Sequence, residues 1–259
     1  MNRSTALVVA GVAAVLATTG TAVALQDEGP TDTRTTDIQT AGQPAKPTTK
    51  PSPIESPKAD QDAVRRQEAQ ALNGTGLQLP PSWGIVNVRR EHHDDRAVTV
   101  VRHQPGGYRL GGPHASVVLD QAGTILGFTR LDQQTGGRLP SEDRSEQLAL
   151  DFLRRVAPDH VDGLTVEWVN QHDETITQPD GTTAKVSGMK VKMHHDSGLY
   201  TWVVIGPDES VLTYERDIAW DSGQGRRGTQ MWLHDPWIAA HDGTGPQPAA
   251  PYAPAGTRS

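Results

Sequence analysis

A chain of 259 residues has room for one large or two small domains. Only 35% of it is hydrophobic, and its 26 glycines lift the apolar share to about 45%, the floor of the globular range, so part of the chain is expected to stay unfolded. The absence of cysteine excludes disulfides, thiolate metal sites, iron–sulfur clusters and cysteine nucleophiles, and 24 Lys plus Arg against 31 Asp plus Glu leave a net charge of −7 that argues against nucleic acid or an anionic membrane as a partner.

Residues 1–25 place Arg3 before an uncharged Ala/Val-rich run, Ser4 to Leu25, that ends in Ala22-Val23-Ala24. This is the pattern of a secretory signal peptide cleaved after Ala24; the run is also long enough to serve, uncleaved, as a membrane anchor over residues 4–25. Either way the remainder is expected outside the cytoplasm, secreted or held at the envelope. Residues 26–58 are rich in Thr, Pro, Asp and Gln, with Ile38 and Ile54 as the only large apolar residues, and read as a disordered Pro/Thr-rich linker.

A helix is predicted over Asp62 to Leu72, ended by Asn73-Gly74, and four strands follow: Ile85 to Glu91, Ala97 to Gln104, His114 to Leu119 and Ile125 to Leu131. The same order then recurs. Ser141 can cap a helix to Val156 whose apolar stripe is Leu148, Ala149, Phe152, Leu153 and Val156, and Pro158 stops it. Strands are predicted over Leu164 to Thr177, Lys185 to His195, Tyr200 to Ile205 and Val211 to Trp220. Val117-Val118-Leu119 with Thr124 to Arg130 matches Val203-Val204-Ile205 with Ser210 to Arg216 at a constant offset of 86 residues, each pair of runs spanning a turn. The expected fold is therefore α+β: two tandem units, residues 59–135 and 136–241, each a helix on its own antiparallel sheet, followed by a disordered tail over residues 242–259.

The order helix then strands, with the closing hairpin Val117-Val118-Leu119-Asp120-Gln121-Ala122-Gly123-Thr124-Ile125-Leu126-Gly127-Phe128, resembles PepSY-type domains over residues 59–220. The Ser141 to Leu153 stretch is similar to the start of such a unit. The resemblance implies a secreted or membrane-anchored, propeptide-like binding protein, with a secreted peptidase or another envelope protein as partner. It supplies no active-site residue, and Gly206-Pro207-Asp208-Glu209 departs from its Asp-x-x-Gly turn.

No G-x-S-x-G, H-E-x-x-H, Walker A, EF-hand or G-x-G-x-x-G motif is present, so no enzyme and no cofactor is expected. Five of ten histidines precede Asp, and His93, His172 and His195 are the candidates for a metal site or a metal-dependent hydrolase, against the plainer reading that they end strands and open turns. Arg130 and Arg216, at matching repeat positions, and Arg226 and Arg227, in a Gly-rich loop, could bind a partner's carboxylates. Of the aromatic residues that follow, Trp232 is expected to cover the sheet and Trp237 to touch a partner. A purely structural envelope spacer is the third alternative to binding and catalysis.

Overall fold

A computed structural model describes residues 58–132 and 137–256. The proposed signal or anchor segment and all but the end of the linker lie outside these residues. None of the described helices is long and apolar enough to cross a membrane.

Helix α1 (Lys58–Leu72) leads into four strands, β1 (Gly84–His93), β2 (Arg96–Gln104), β3 (His114–Asp120) and β4 (Ile125–Leu131). Helix α2 (Glu142–Val156) and the single turn α3 (Pro158–Val161) lead into β5 (Leu164–Thr177), β6 (Thr183–His195), β7 (Tyr200–Ile205) and β8 (Val211–Ile218). Ser141 caps α2 by accepting from the Arg144 N–H, leaving Glu142 and Asp143 at the positive end of the helix and Arg154 and Arg155 at the negative end.

The expectation of two separate helix-on-sheet units is overturned here. All eight strands form one antiparallel sheet in the order β1-β2-β3-β4-β8-β7-β6-β5. The last strand of each run would otherwise be a bare edge, with unpaired N–H and C=O groups; instead β4 and β8 pair with each other, Gly127 opposite Glu215, Phe128 opposite Tyr214 and Thr129 opposite Thr213. Packing follows the pairing. Val117, Leu119 and Phe128 share one buried cluster with Val191, Val203 and Tyr214, and α2 drives Phe152 edge-on into Tyr214 at a ring separation of 5.1 Å. Helix α1 joins this face through Ala71 and Leu72 and is held by buried Glu68, which meets His103 Nε2 at 2.9 Å.

The opposite face is covered by the C-terminal segment, which contains the two-residue ladder β9 (Trp220–Asp221) with β10 (Arg226–Arg227) and the short helix α4 (Asp235–His241). Met231, Trp232, Leu233, Trp237 and Ile238 pack there on Val98, Val100, Val118 and Leu126. Residues 242–256 are not a free tail: Ala253 and Ala255 are buried in the same cluster, and the Arg227 N–H donates to the Pro251 carbonyl at 3.0 Å. On this face the long β5–β6 hairpin curls round until its end meets the β2–β3 loop, where the Thr177 N–H donates to the Gly111 carbonyl at 2.7 Å. The curl encloses a hollow.

Candidate functional site

The hollow is a cavity of about 320 Å³ between the sheet and α4. Its floor is β3, β4 and β8, presenting His114, Thr129, Leu131 and Thr213; the end of β5 supplies Glu174 and Ile176, and Leu233, His234, Asp235 and Tyr252 close it from the C-terminal side. Most of this wall is apolar. Exposed Thr175 and Pro236 mark where it reaches solvent.

Asp235, Glu174 and His114 are among the polar residues that line this space. Asp235 is buried and gripped by the fork of Arg102, Nη1 to Oδ1 at 2.7 Å and Nη2 to Oδ2 at 2.8 Å, and its Oδ2 also accepts from the Gly111 N–H. Burial opposes the charge on Asp235, but His114 first, then Arg102 and the Gly111 N–H, outweigh it and hold the carboxyl below its ordinary range. Glu174 Oε1 lies 2.9 Å from His172 Nε2; burial again opposes, and the neighbouring imidazoles hold this carboxyl down too. Burial lowers the pKa of His114 against the pull of Asp235, with Arg102 acting in the same direction as burial. Because His114 Nδ1 lies 2.9 Å from the Gly112 carbonyl, which can only accept, the proton sits on Nδ1 and Nε2 carries a lone pair. That Nε2 is buried and has no hydrogen-bond partner among the described residues. Beneath them the hydroxyls of Thr129 and Thr213 meet at 2.9 Å across the β4–β8 pairing.

His234, at the cavity wall, connects it to a second polar cluster. Its Nε2 lies 3.0 Å from Glu215 Oε2, an oxygen that also accepts from Trp202 Nε1 at 2.9 Å. Glu215 Oε1 is paired with Arg227 Nη1 at 2.6 Å, and both side chains are almost wholly buried. Lys190 lies over the Trp202 ring at 4.1 Å; burial lowers its pKa to about 8 against the pull of Glu215.

The residues singled out from the sequence fall elsewhere or inward. Trp237 is only 1% exposed, edge-on to Trp232 and stacked on His241, so the expected partner contact is corrected: its large apolar surface completes the second core instead. Arg227 is corrected likewise, since its charge is spent on Glu215. Arg130 is largely covered, near Asp132 and Asp208, and Arg216 lies 3.2 Å from Asp217. Arg226 is half-buried in the short ladder with Asp221.

The three candidate metal ligands are not brought together. His93 is buried with Nε2 3.1 Å from the Asp217 carbonyl, His172 pairs with Glu174, and His195 stacks on His160 at 4.2 Å. Among the described residues no group of three or more His, Asp or Glu side chains is placed to hold a metal ion.

His160 has its own consequence. Its Nε2 meets Thr201 Oγ1 at 2.9 Å, and burial first, then Arg216, lower its pKa to about 4. The unfolded chain takes up a proton near pH 6.5 that the folded chain refuses, so this residue's contribution is present above pH 6.5 and is lost as the pH falls towards 4. The midpoint of thermal unfolding is expected to fall across that window in the native protein, and to fall less in His160→Gln; equal pH slopes for the two would contradict the assignment.

His114, Glu174 and Glu215 did not stand out in the sequence, and Asp235 did so only as the second member of a His-Asp dipeptide. Glu215 had the one usable signal, a carboxylate between Tyr214 and the inward alternation of a strand, where a buried charge must find a partner. No family model matches the chain, and no curated protein or solved structure matches it.

Proposed function

We propose that this is a non-catalytic binding protein, working outside the cytoplasm as its N-terminal segment implies, that takes a small ligand into the cavity between the curled sheet and α4. The observation that carries this reading is the cavity itself: about 320 Å³, mostly apolar, with a few polar side chains in its lining, the usual make-up of a ligand site. Binding is favoured over catalysis because the polar groups are committed to holding one another. Asp235 is tied to Arg102 and Glu174 to His172, and His114, the group best suited to act as a base, has no nucleophile hydrogen-bonded to its free nitrogen. The partner-protein reading loses ground for a parallel reason, since Trp237 and Arg227 are buried and Arg130 and Arg216 lie against carboxylates.

A thermal-shift screen of small fragments tests this. Ligands that fill the cavity are expected to raise the melting temperature, by the equivalent of about 2.7 kcal/mol at a hundredfold excess over Kd. The half-buried Ala239 lines the cavity, so Ala239→Trp should abolish the shift by occupying the space. Equal shifts in the native protein and the variant, or no shift with any fragment, would refute the reading.

A further inference from the structure

We infer that the ligand is uncharged and mainly hydrocarbon, a compact body of roughly ten carbon atoms held among Leu131, Ile176 and Leu233. This rests on the cavity being the binding site.

The polar side chains of the lining are already spent on protein partners. Both oxygens of Asp235 are taken by the Arg102 fork, and Oδ2 by the Gly111 N–H as well. Glu174 is met by His172, and His234 Nε2 lies against Glu215. The hydroxyls of Thr129 and Thr213 meet each other at 2.9 Å. His114 turns Nδ1 to the Gly112 carbonyl, and its Nε2, with almost no accessible surface, offers nothing to the open space. A polar head entering here would give up water without finding a full set of partners, whereas a hydrocarbon has nothing to satisfy.

Charge points the same way. The lining contains two carboxylates and neither Lys nor Arg, so an anion meets like charge. An ammonium must satisfy three donors as it leaves water, and the carboxylates that could receive it are engaged by Arg102 and His172. Water is held loosely for the same reason, since a buried water needs polar partners of its own, and replacing loosely held water with an apolar group adds affinity. What the wall does offer is the hydrocarbon of Leu131, Ile176 and Leu233, with Leu110, Pro236 and Ala239 beside them. An apolar cavity of about 150 Å³ admits benzene, so one of about 320 Å³ accepts a bicyclic body.

Methyl-resolved NMR of the full chain, reading the Leu131, Ile176 and Leu233 resonances, tests this with four probes: naphthylmethanol, its ammonium counterpart naphthylmethylamine, its carboxylate counterpart naphthoate, and glucose as an uncharged polar control. The alcohol is expected to bind at least about tenfold more tightly than either ion, and glucose not to bind. Glu174→Gln, at a half-buried position, keeps an acceptor for His172 and should change alcohol affinity by less than about twofold; a loss of about tenfold would show that the carboxylate grips the ligand and would overturn the class. Binding of the amine, the carboxylate or glucose as tightly as the alcohol would also overturn the class and leave the cavity reading intact. Silence of all three residues with every probe would overturn both.

Discussion

Trp237→Ala is expected to destabilise the protein by about 3–5 kcal/mol, a large part of the roughly 5–15 kcal/mol available to a domain. The residue follows Pro236 at the start of a short helix near the chain's end, a position that suggests little energetic weight. Yet it is buried, with ring contacts to Trp232 at 4.8 Å and His241 at 5.1 Å, and removing it leaves a void beneath α4 that Ala240 and Tyr252 cannot fill without moving the helix. Its indole Nε1 has no hydrogen-bond partner among the described residues, whereas Nε1 of Trp232 donates to the His92 carbonyl at 2.7 Å. Trp237→Phe should therefore cost much less than Trp237→Ala, while Trp232→Phe additionally strands a carbonyl. Denaturant unfolding of the four proteins measures this; a loss below about 1 kcal/mol for Trp237→Ala would mean that α4 does not pack as described.

Arg227→Met is the second large effect, again about 3–5 kcal/mol, because it removes one partner of a buried pair and leaves the other charged. All three guanidinium nitrogens of Arg227 are engaged: Nη1 on Glu215, Nε on the Thr229 carbonyl at 2.9 Å and Nη2 on the Gln230 carbonyl at 2.7 Å. Burial pushes the Glu215 carboxyl up, but Arg227 and His234 outweigh it and hold it far below its ordinary value of 4.5. In the native protein the stability contributed by Glu215 is complete above pH 4.5 and is lost as the pH falls below that value towards the depressed one. In Arg227→Met burial is left largely unopposed and the carboxyl rises, so acid relieves the variant while it harms the native protein. The gap between their unfolding free energies should accordingly narrow as the pH is lowered from 7 to about 4. A gap independent of pH would place the damage in lost packing and not in the stranded carboxylate.

The strands were legible because their apolar residues alternate or run unbroken between turn residues; Ile125 to Leu131, Leu164 to Thr177 and Tyr200 to Ile205 coincide with β4, β5 and β7. How they assemble was not. The pairing of Phe128 with Tyr214 joins residues far apart in the chain, and nothing local in either strand names the other as its neighbour. The C-terminal segment misled for a different reason. Gly243, Gly245, Pro246, Pro248 and Pro251 have the composition of a flexible tail, but what orders it is backbone bonding and small side chains, Ala253 and Ala255, that fit where a large one cannot. The cavity was invisible because a curled sheet places Glu174, His114 and Asp235 in one lining without any motif, and of the conspicuous His-Asp dipeptides only His234-Asp235 lies there.

The segment over the second face also grips both halves of the sheet, through Asp235 on Arg102, Trp232 on the His92 carbonyl and Arg227 on Glu215. Polypeptides are synthesised from the amino end at roughly 5–20 residues per second, so everything beyond β8 is delivered last. For roughly 5–20 seconds on that scale Val98, Val100, Val118 and Leu126 have been made and Trp232 has not. The nascent chain thus passes through a stage with an apolar sheet face open to its surroundings, and a stop codon between the end of β8 and residue 232 would make that stage permanent.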